Sequence, residues 1–202
     1  MINTKLPMLL AASAFALSLA ACGGPENPNS EAKNASEVAL DADKTTTTVA
    51  VDPATINFVE KAALTDMFEI ESAKLALERS KVKPVKDFAQ MMIDTHTATT
   101  AELKPLAAAA TVTPPSALDN DLMAKLDDLK NAKVEDFDDK YIDQQTDAHE
   151  NALNLMKDFS ANGKDAGLQA FATKATPTVQ AHLDQVKALD KSPADDVTKK
   201  PS

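Results

Sequence analysis

The spacing of apolar residues leaves this chain few folds to choose from. Between Asp52 and Asp190 such residues recur three and four positions apart, the period of a helix turning one face to a core. Proline and glycine cut the pattern into segments. Asp52-Pro53 supplies an N-cap followed by proline at the first helical position, so a helix is expected over residues 53–80. Lys83-Pro84 opens a second, over 83–110. Thr113-Pro114-Pro115 then breaks the chain, and Ser116 with Asp119 makes a capping box for a third region over 116–161. That region is expected to bend near 132–136, where the apolar rhythm slips. Asn162-Gly163 ends it, and Asp165 caps a fourth helix over 166–190, with Pro177 expected to kink it. Short connections between long helices imply antiparallel neighbours, hence an all-α, up-and-down four-helix bundle with a bent third helix. The absence of tryptophan, the single tyrosine and the four glycines fit a helical chain rich in Ala, Leu, Lys, Asp and Glu.

The interior stripes carry a second message. On the first helix the stripe reads Phe58, Ala62, Thr65, Glu69, Ala73, Ala76, and on the second Val85, Phe88, Met92, His96, Thr99, Leu103, Leu106. The third gives Phe137, Tyr141, Gln145, His149, Ala152, Met156, Phe159, and the fourth Leu168, Phe171, Ala175, Val179, His182, Val186, Leu189. The chain has three histidines, each on the apolar stripe of a different helix, and Glu69 occupies the remaining one. Counted from the turn near Val82, Glu69 lies thirteen residues back and His96 fourteen forward, so the two share a level. Around Gly163 the counts are fourteen to His149 and nineteen to His182, a mismatch of about 7 Å of helical rise that makes His182 the least secure member.

Two readings of these four side chains stay open. Imidazoles and a carboxylate are ordinary ligands for a transition metal, and bundle cores are where such sites are assembled. The alternative is a structural polar layer, a buried Glu–imidazole pair with the other rings bonded to Gln145, Thr65, Thr99 or Thr178. A di-iron carboxylate centre is not expected. It needs Glu three residues before His on two helices, and here Ile93, Thr146 and Val179 hold those places. One carboxylate with up to three imidazoles suits a single ion of unassigned identity; Met92, one turn before His96, would suit copper, although a Met on a core stripe is more often packing. The chain offers no Gly-rich phosphate loop, no activated nucleophile and no placed acid–base pair, so an enzyme is the last of the function classes to consider.

The N-terminus gives an address. Leu6 to Leu19 form an apolar run behind Lys5, and Leu19-Ala20-Ala21-Cys22 resembles a bacterial lipoprotein signal, cut before Cys22, whose thiol then carries the lipid. Residues 1–21 are therefore read as signal peptide and 22–51 as a polar, lipidated, disordered tether. Residues 52–190 form the bundle domain, and 191–202 a disordered tail. Cleavage removes Lys5 and makes the net charge one unit more negative than −10. So acidic a chain is not expected to bind nucleic acid or to adhere electrostatically to anionic lipid, so its membrane partner is reached through the anchor. With Cys22 lipidated, no cysteine is left for a disulfide or a thiolate ligand. Gly23 in place of an acidic residue after the cysteine tilts the expected location to the periplasmic face of the outer membrane.

Phe58-Val59, Asp94-Thr95-His96, Phe137-Asp138-Asp139-Lys140-Tyr141, His149, Thr176-Pro177 and His182-Leu183, in this order and spacing, resemble the ferritin-like bacterial family known as domain of unknown function 4142. The resemblance covers the chain from about Asp52 to Leu189. It implies a secreted or lipid-anchored four-helix envelope protein in which Glu69, His96, His149 and His182 correspond to the characteristic polar positions, and it implies no particular activity. The expected function is thus a lipid-anchored envelope bundle, with a metal ion at a His/Glu core site. The alternative is a non-catalytic interaction or stress protein whose His/Glu layer is structural or pH-sensing.

Overall fold

A computed structural model describes residues 50–190. The expected signal peptide, the lipidation site Cys22, all but the last two residues of the tether, and the tail lie outside the described residues. Within them are five helices and no strand: α1 (Pro53–Arg79), α2 (Lys83–Ala109), α3 (Asn120–Asn131), α4 (Phe137–Asn162) and α5 (Ala166–Asp190). None is long and apolar enough to cross a membrane.

The helix ends follow local chemistry, with some changes of partner. Pro53 opens α1, and the Asp52 carbonyl accepts from the Thr55 and Ile56 amides. The Asp52 carboxylate makes no cap bond and pairs instead with Lys164 at 3.3 Å. Asp165 caps α5 as expected, accepting from the Leu168 amide at 2.8 Å. The expected capping box at Ser116 does not form. Asp119 is itself the cap of α3, accepting from the Leu122 amide at 2.8 Å, so the helix begins at Asn120. Both α2 and α5 continue as single helices through Pro105 and Pro177.

The slip in rhythm near residues 132–136 is a full interruption between α3 and α4. Arg79 holds it. Its guanidinium donates to the carbonyls of Leu129 (2.6 Å), Lys130 (2.8 Å) and Ala132 (2.5 Å), and it lies 4.5 Å over the Phe137 ring. A cation on the orphan carbonyls of a helix C-terminus stabilises that end, and the ring beneath it marks where α4 starts.

Four long helices form the bundle: α1 packs on α2 and α4, and α5 on α2 and α4, with α3 laid against α1 and α4. Arg79 places the start of α4 at the end where α1 stops, while the Lys164–Asp52 pair places the α4–α5 turn where α1 begins. Long helices in contact are therefore antiparallel. The α1–α2 and α4–α5 connections are short hairpins. Between α2 and α4 the chain instead travels back along the bundle through α3, the single long crossover of ferritin-type bundles.

Two aromatic clusters close the core. Phe58 stacks on Phe159 at 4.0 Å and meets Phe171 edge-on at 6.3 Å. Towards the other end, Tyr141 stacks over Phe137 at 6.5 Å and meets Phe88 edge-on at 6.4 Å. Along each helix the polar residues of the stripe lie between these clusters.

Candidate metal centre

Glu69 from α1, His96 from α2, His149 from α4 and His182 from α5 meet in that middle layer. Glu69 and His149 have no exposed surface, and His96 and His182 only 5% and 4%. The rings are mutual neighbours: centroids lie 5.9 Å apart for His96–His149, 5.7 Å for His96–His182 and 5.4 Å for His149–His182. The three imidazoles can each offer one nitrogen such that all lie within 4.8 Å of one another. His182, the residue whose depth looked least secure, is fully part of the cluster. Counted from the helix ends, Glu69 and His96 differ in depth by three residues, and so do His149 and His182. Both hairpins thus carry the same stagger of about 4.5 Å, which side-chain reach absorbs.

Each ring is held by a definite neighbour or by none. His96 Nδ1 lies 2.8 Å from Asp66 Oδ1, and Asp66 Oδ2 accepts from the hydroxyls of Thr99 (3.0 Å) and Thr100 (2.9 Å). His96 Nε2 forms a direct ion-pair contact with Glu69 Oε2. His149 Nδ1 donates to the Gln145 carbonyl one turn back, at 2.8 Å, and lies 3.5 Å from Glu69 Oε1. That donation places a proton on Nδ1, so in the neutral tautomer the lone pair is on Nε2. His149 Nε2 and His182 Nδ1 are buried without a hydrogen-bond partner. The Gln145 amide donates to Ser72 Oγ at 3.0 Å, and the Ser72 hydroxyl donates to the Glu69 carbonyl at 3.2 Å. No threonine hydroxyl bonds a ring. Met92 is fully buried in the apolar core.

The electrostatics divide the histidines. For His96, burial disfavours the charged ring, but Glu69 and Asp66 outweigh it and push the pKa up to about 10. Burial works in the same direction as the neighbouring His149 and His96 on His182, and its pKa falls to about 4. Burial alone would raise the Glu69 carboxyl, yet His96, His149 and His182 hold it below the usual carboxylate range. Burial and the nearby Glu69 charge push the Tyr141 hydroxyl well up. At neutral pH the layer thus contains a charged imidazole at His96, paired with carboxylates, and a neutral ring with a free lone pair at His182.

Asp66 is absent from the sequence expectation, which placed Thr65 on the inner stripe. In the structure Thr65 is half-buried, and Asp66 turns inward three residues before Glu69. Its position four after Ala62 was the available signal.

These features define a small all-α bundle with an imidazole–carboxylate layer at mid-depth. Within that class the chain belongs to the family described as Domain of unknown function (DUF4142), which matches residues 40–189. Among solved structures it is similar to a DUF305 fragment from Deinococcus radiodurans, with a TM-score of 0.60 at 13% identity over 69% of this chain and 96% of that one. At that identity the likeness is one of fold. No curated protein matches the chain.

Proposed function

We propose that this is a lipid-anchored envelope protein whose bundle holds one transition-metal ion between Glu69, His96, His149 and His182. The observation that carries the reading is a pair of buried, unpartnered ring nitrogens, His149 Nε2 and His182 Nδ1, converging beside the buried Glu69 carboxylate that pairs with His96. A buried polar atom left unsatisfied costs about 1–3 kcal/mol, and an ion bound by both nitrogens offsets that cost. The outer contacts support the same reading. Asp66 on His96 Nδ1 and the Gln145 carbonyl on His149 Nδ1 are the acceptors that orient imidazole ligands in metal sites. Metal–nitrogen bonds of about 2.0–2.1 Å require the ring nitrogens to stand about 3.4 Å apart, so small rotations close the cluster on an ion. The ion would displace the proton of His96 and take over its pairing with Glu69.

The lipid anchor rests on Cys22 and the apolar run before it, and an outer-membrane, periplasm-facing location on Gly23. The second reading, a structural polar layer, has the Asp66–His96–Glu69 ion-paired triad in its favour. It leaves His149 Nε2 and His182 Nδ1 without a purpose. Metal analysis of tag-free protein, joined to thermal melting with and without chelator, separates the two. About one ion per chain and a melting temperature lowered on chelation are expected. Substoichiometric metal with unchanged melting would overturn the metal reading.

A further inference from the structure

Exposure at the centre is one-sided. Glu69 and His149 are sealed, whereas the small exposed areas of His96 and His182 open into the same cleft of about 160 Å³ between α2 and α5. Small side chains, Ala98, Ala175 and Thr99, line that cleft beside Phe171 and Val179. Across its outer part Lys174 pairs with Glu102 at 2.8 Å. Inward, a void of about 30 Å³ shares His96, Thr99, Phe171, Ala175 and Val179 with the cleft and reaches Asp66. A water molecule takes up about 30 Å³ of liquid, so this space suits a molecule of a few heavy atoms and not a peptide or a lipid. The donors also lie unevenly. Glu69 and His149 approach from the α1 and α4 side; on the cleft side stand His96 and His182, and the one carboxylate lining the cleft, Glu102, is paired with Lys174.

Resting on the metal reading above, we propose that the centre keeps one coordination position open towards the α2–α5 cleft and binds a small exogenous ligand there. The ligand class is a water molecule at rest, exchangeable for a small anion that fits the slot. The four protein ligands leave a fifth position on the cleft side for a five-coordinate ion, and sites that keep a position open exchange water for added ligands. The exchange is a substitution: the anion's lone pair bonds the metal, water leaves, and no oxidation state changes.

The test uses tag-free protein loaded with cobalt(II), whose visible absorption reports its coordination, and azide as the probe. With one cobalt per chain bound, azide should give a saturable spectral change. Replacing Ala98, an exposed position on the cleft, by tryptophan should leave cobalt stoichiometry intact and slow azide binding at least tenfold. Thr178→Trp, also exposed and on the α5 side of the cleft, should act alike and guards against a folding defect in either variant. Bound cobalt with a spectrum indifferent to azide would overturn the open position while leaving the metal reading intact. Unchanged azide kinetics in both folded tryptophan variants would overturn the α2–α5 route. A chain that takes up no cobalt would overturn both.

Discussion

Asp66 shows how one residue sets the character of its neighbours. Its carboxylate is shared among His96 Nδ1 and the hydroxyls of Thr99 and Thr100, which locks the imidazole with Nε2 facing Glu69. Removing such an outer acceptor commonly costs 10–100-fold in metal affinity, so Asp66→Asn should weaken metal binding by about that factor, measured by competition with a chelator of known affinity. The metal-free domain should also have a two-sided pH dependence. His96, raised from an unfolded value of 6.5 to about 10, stabilises the fold fully below pH 6.5, and that contribution is lost as pH rises towards 10. His182, lowered to about 4, favours the neutral ring, so its contribution is present above pH 6.5 and lost as pH falls towards 4. Thermal melts of metal-free protein should therefore peak near pH 6.5 and decline on both sides, whereas a flat profile from 4 to 10 would contradict the assigned charges. Sequence periodicity offered Asp66, four residues after Ala62, only as a rival to Thr65 for the inner face. Thr65 and Asp66 straddle the inner face between Ala62 and Glu69, and what turns the carboxylate inward is a set of donors on α2. Such a cross-helix pairing leaves no trace in the stripe of α1 alone.

At the scale of the elements, two helix ends carry constraints of opposite sign. Gly163 closes α4 with an ordinary extended backbone, φ −62° and ψ 145°, so a left-handed turn is not the reason for glycine. Close approach is: a Cβ there would lie 2.6 Å from the Phe159 carbonyl and from its ring. Gly163→Ala should destabilise the domain by about 1–3 kcal/mol, read from denaturant unfolding. Thr111 ends α2 with φ 57°, and the Thr111 and Val112 amides bond the Ala108 and Ala107 carbonyls in a Schellman motif. A β-branched residue is strained there, so Thr111→Gly should stabilise by about 1 kcal/mol in the same assay. Arg79 is the third such device. Arg79→Ala strips three carbonyls at the end of α3 of their donor, and faster amide hydrogen exchange in α3 than in α1, α2, α4 and α5 is the expected outcome. The sequence located the break at residues 132–136 because the apolar rhythm fails there. It did not reveal Arg79 as its cap, a contact made about fifty residues away along the chain.

Over the whole molecule, two hairpins with the same three-residue stagger bring one polar side chain from each long helix to a common level. The four stripes were legible because helix period and breakers are local properties, and the meeting of Glu69 with His96 followed from counting across a short turn. The crossover through α3 was not legible, since short connections at both hairpins say nothing about how the second joins the third long helix. His182 looked out of register because depth was counted from Gly163, at one edge of the turn, and not from the helix ends on either side of it. Phe58, Phe159 and Phe171 on one side, and Phe88, Tyr141 and Phe137 on the other, isolate the polar layer from water along the bundle axis. The α2–α5 cleft is then the natural side from which solvent reaches His96 and His182. A crystal structure of tag-free, metal-loaded protein with data collected at the metal's absorption edge tests the central claim most directly. One anomalous peak per chain is expected, enclosed by His96 Nε2, His149 Nε2, His182 and the Glu69 carboxylate. No peak there, with His96 still paired to Glu69 in metal-saturated crystals, would contradict that claim.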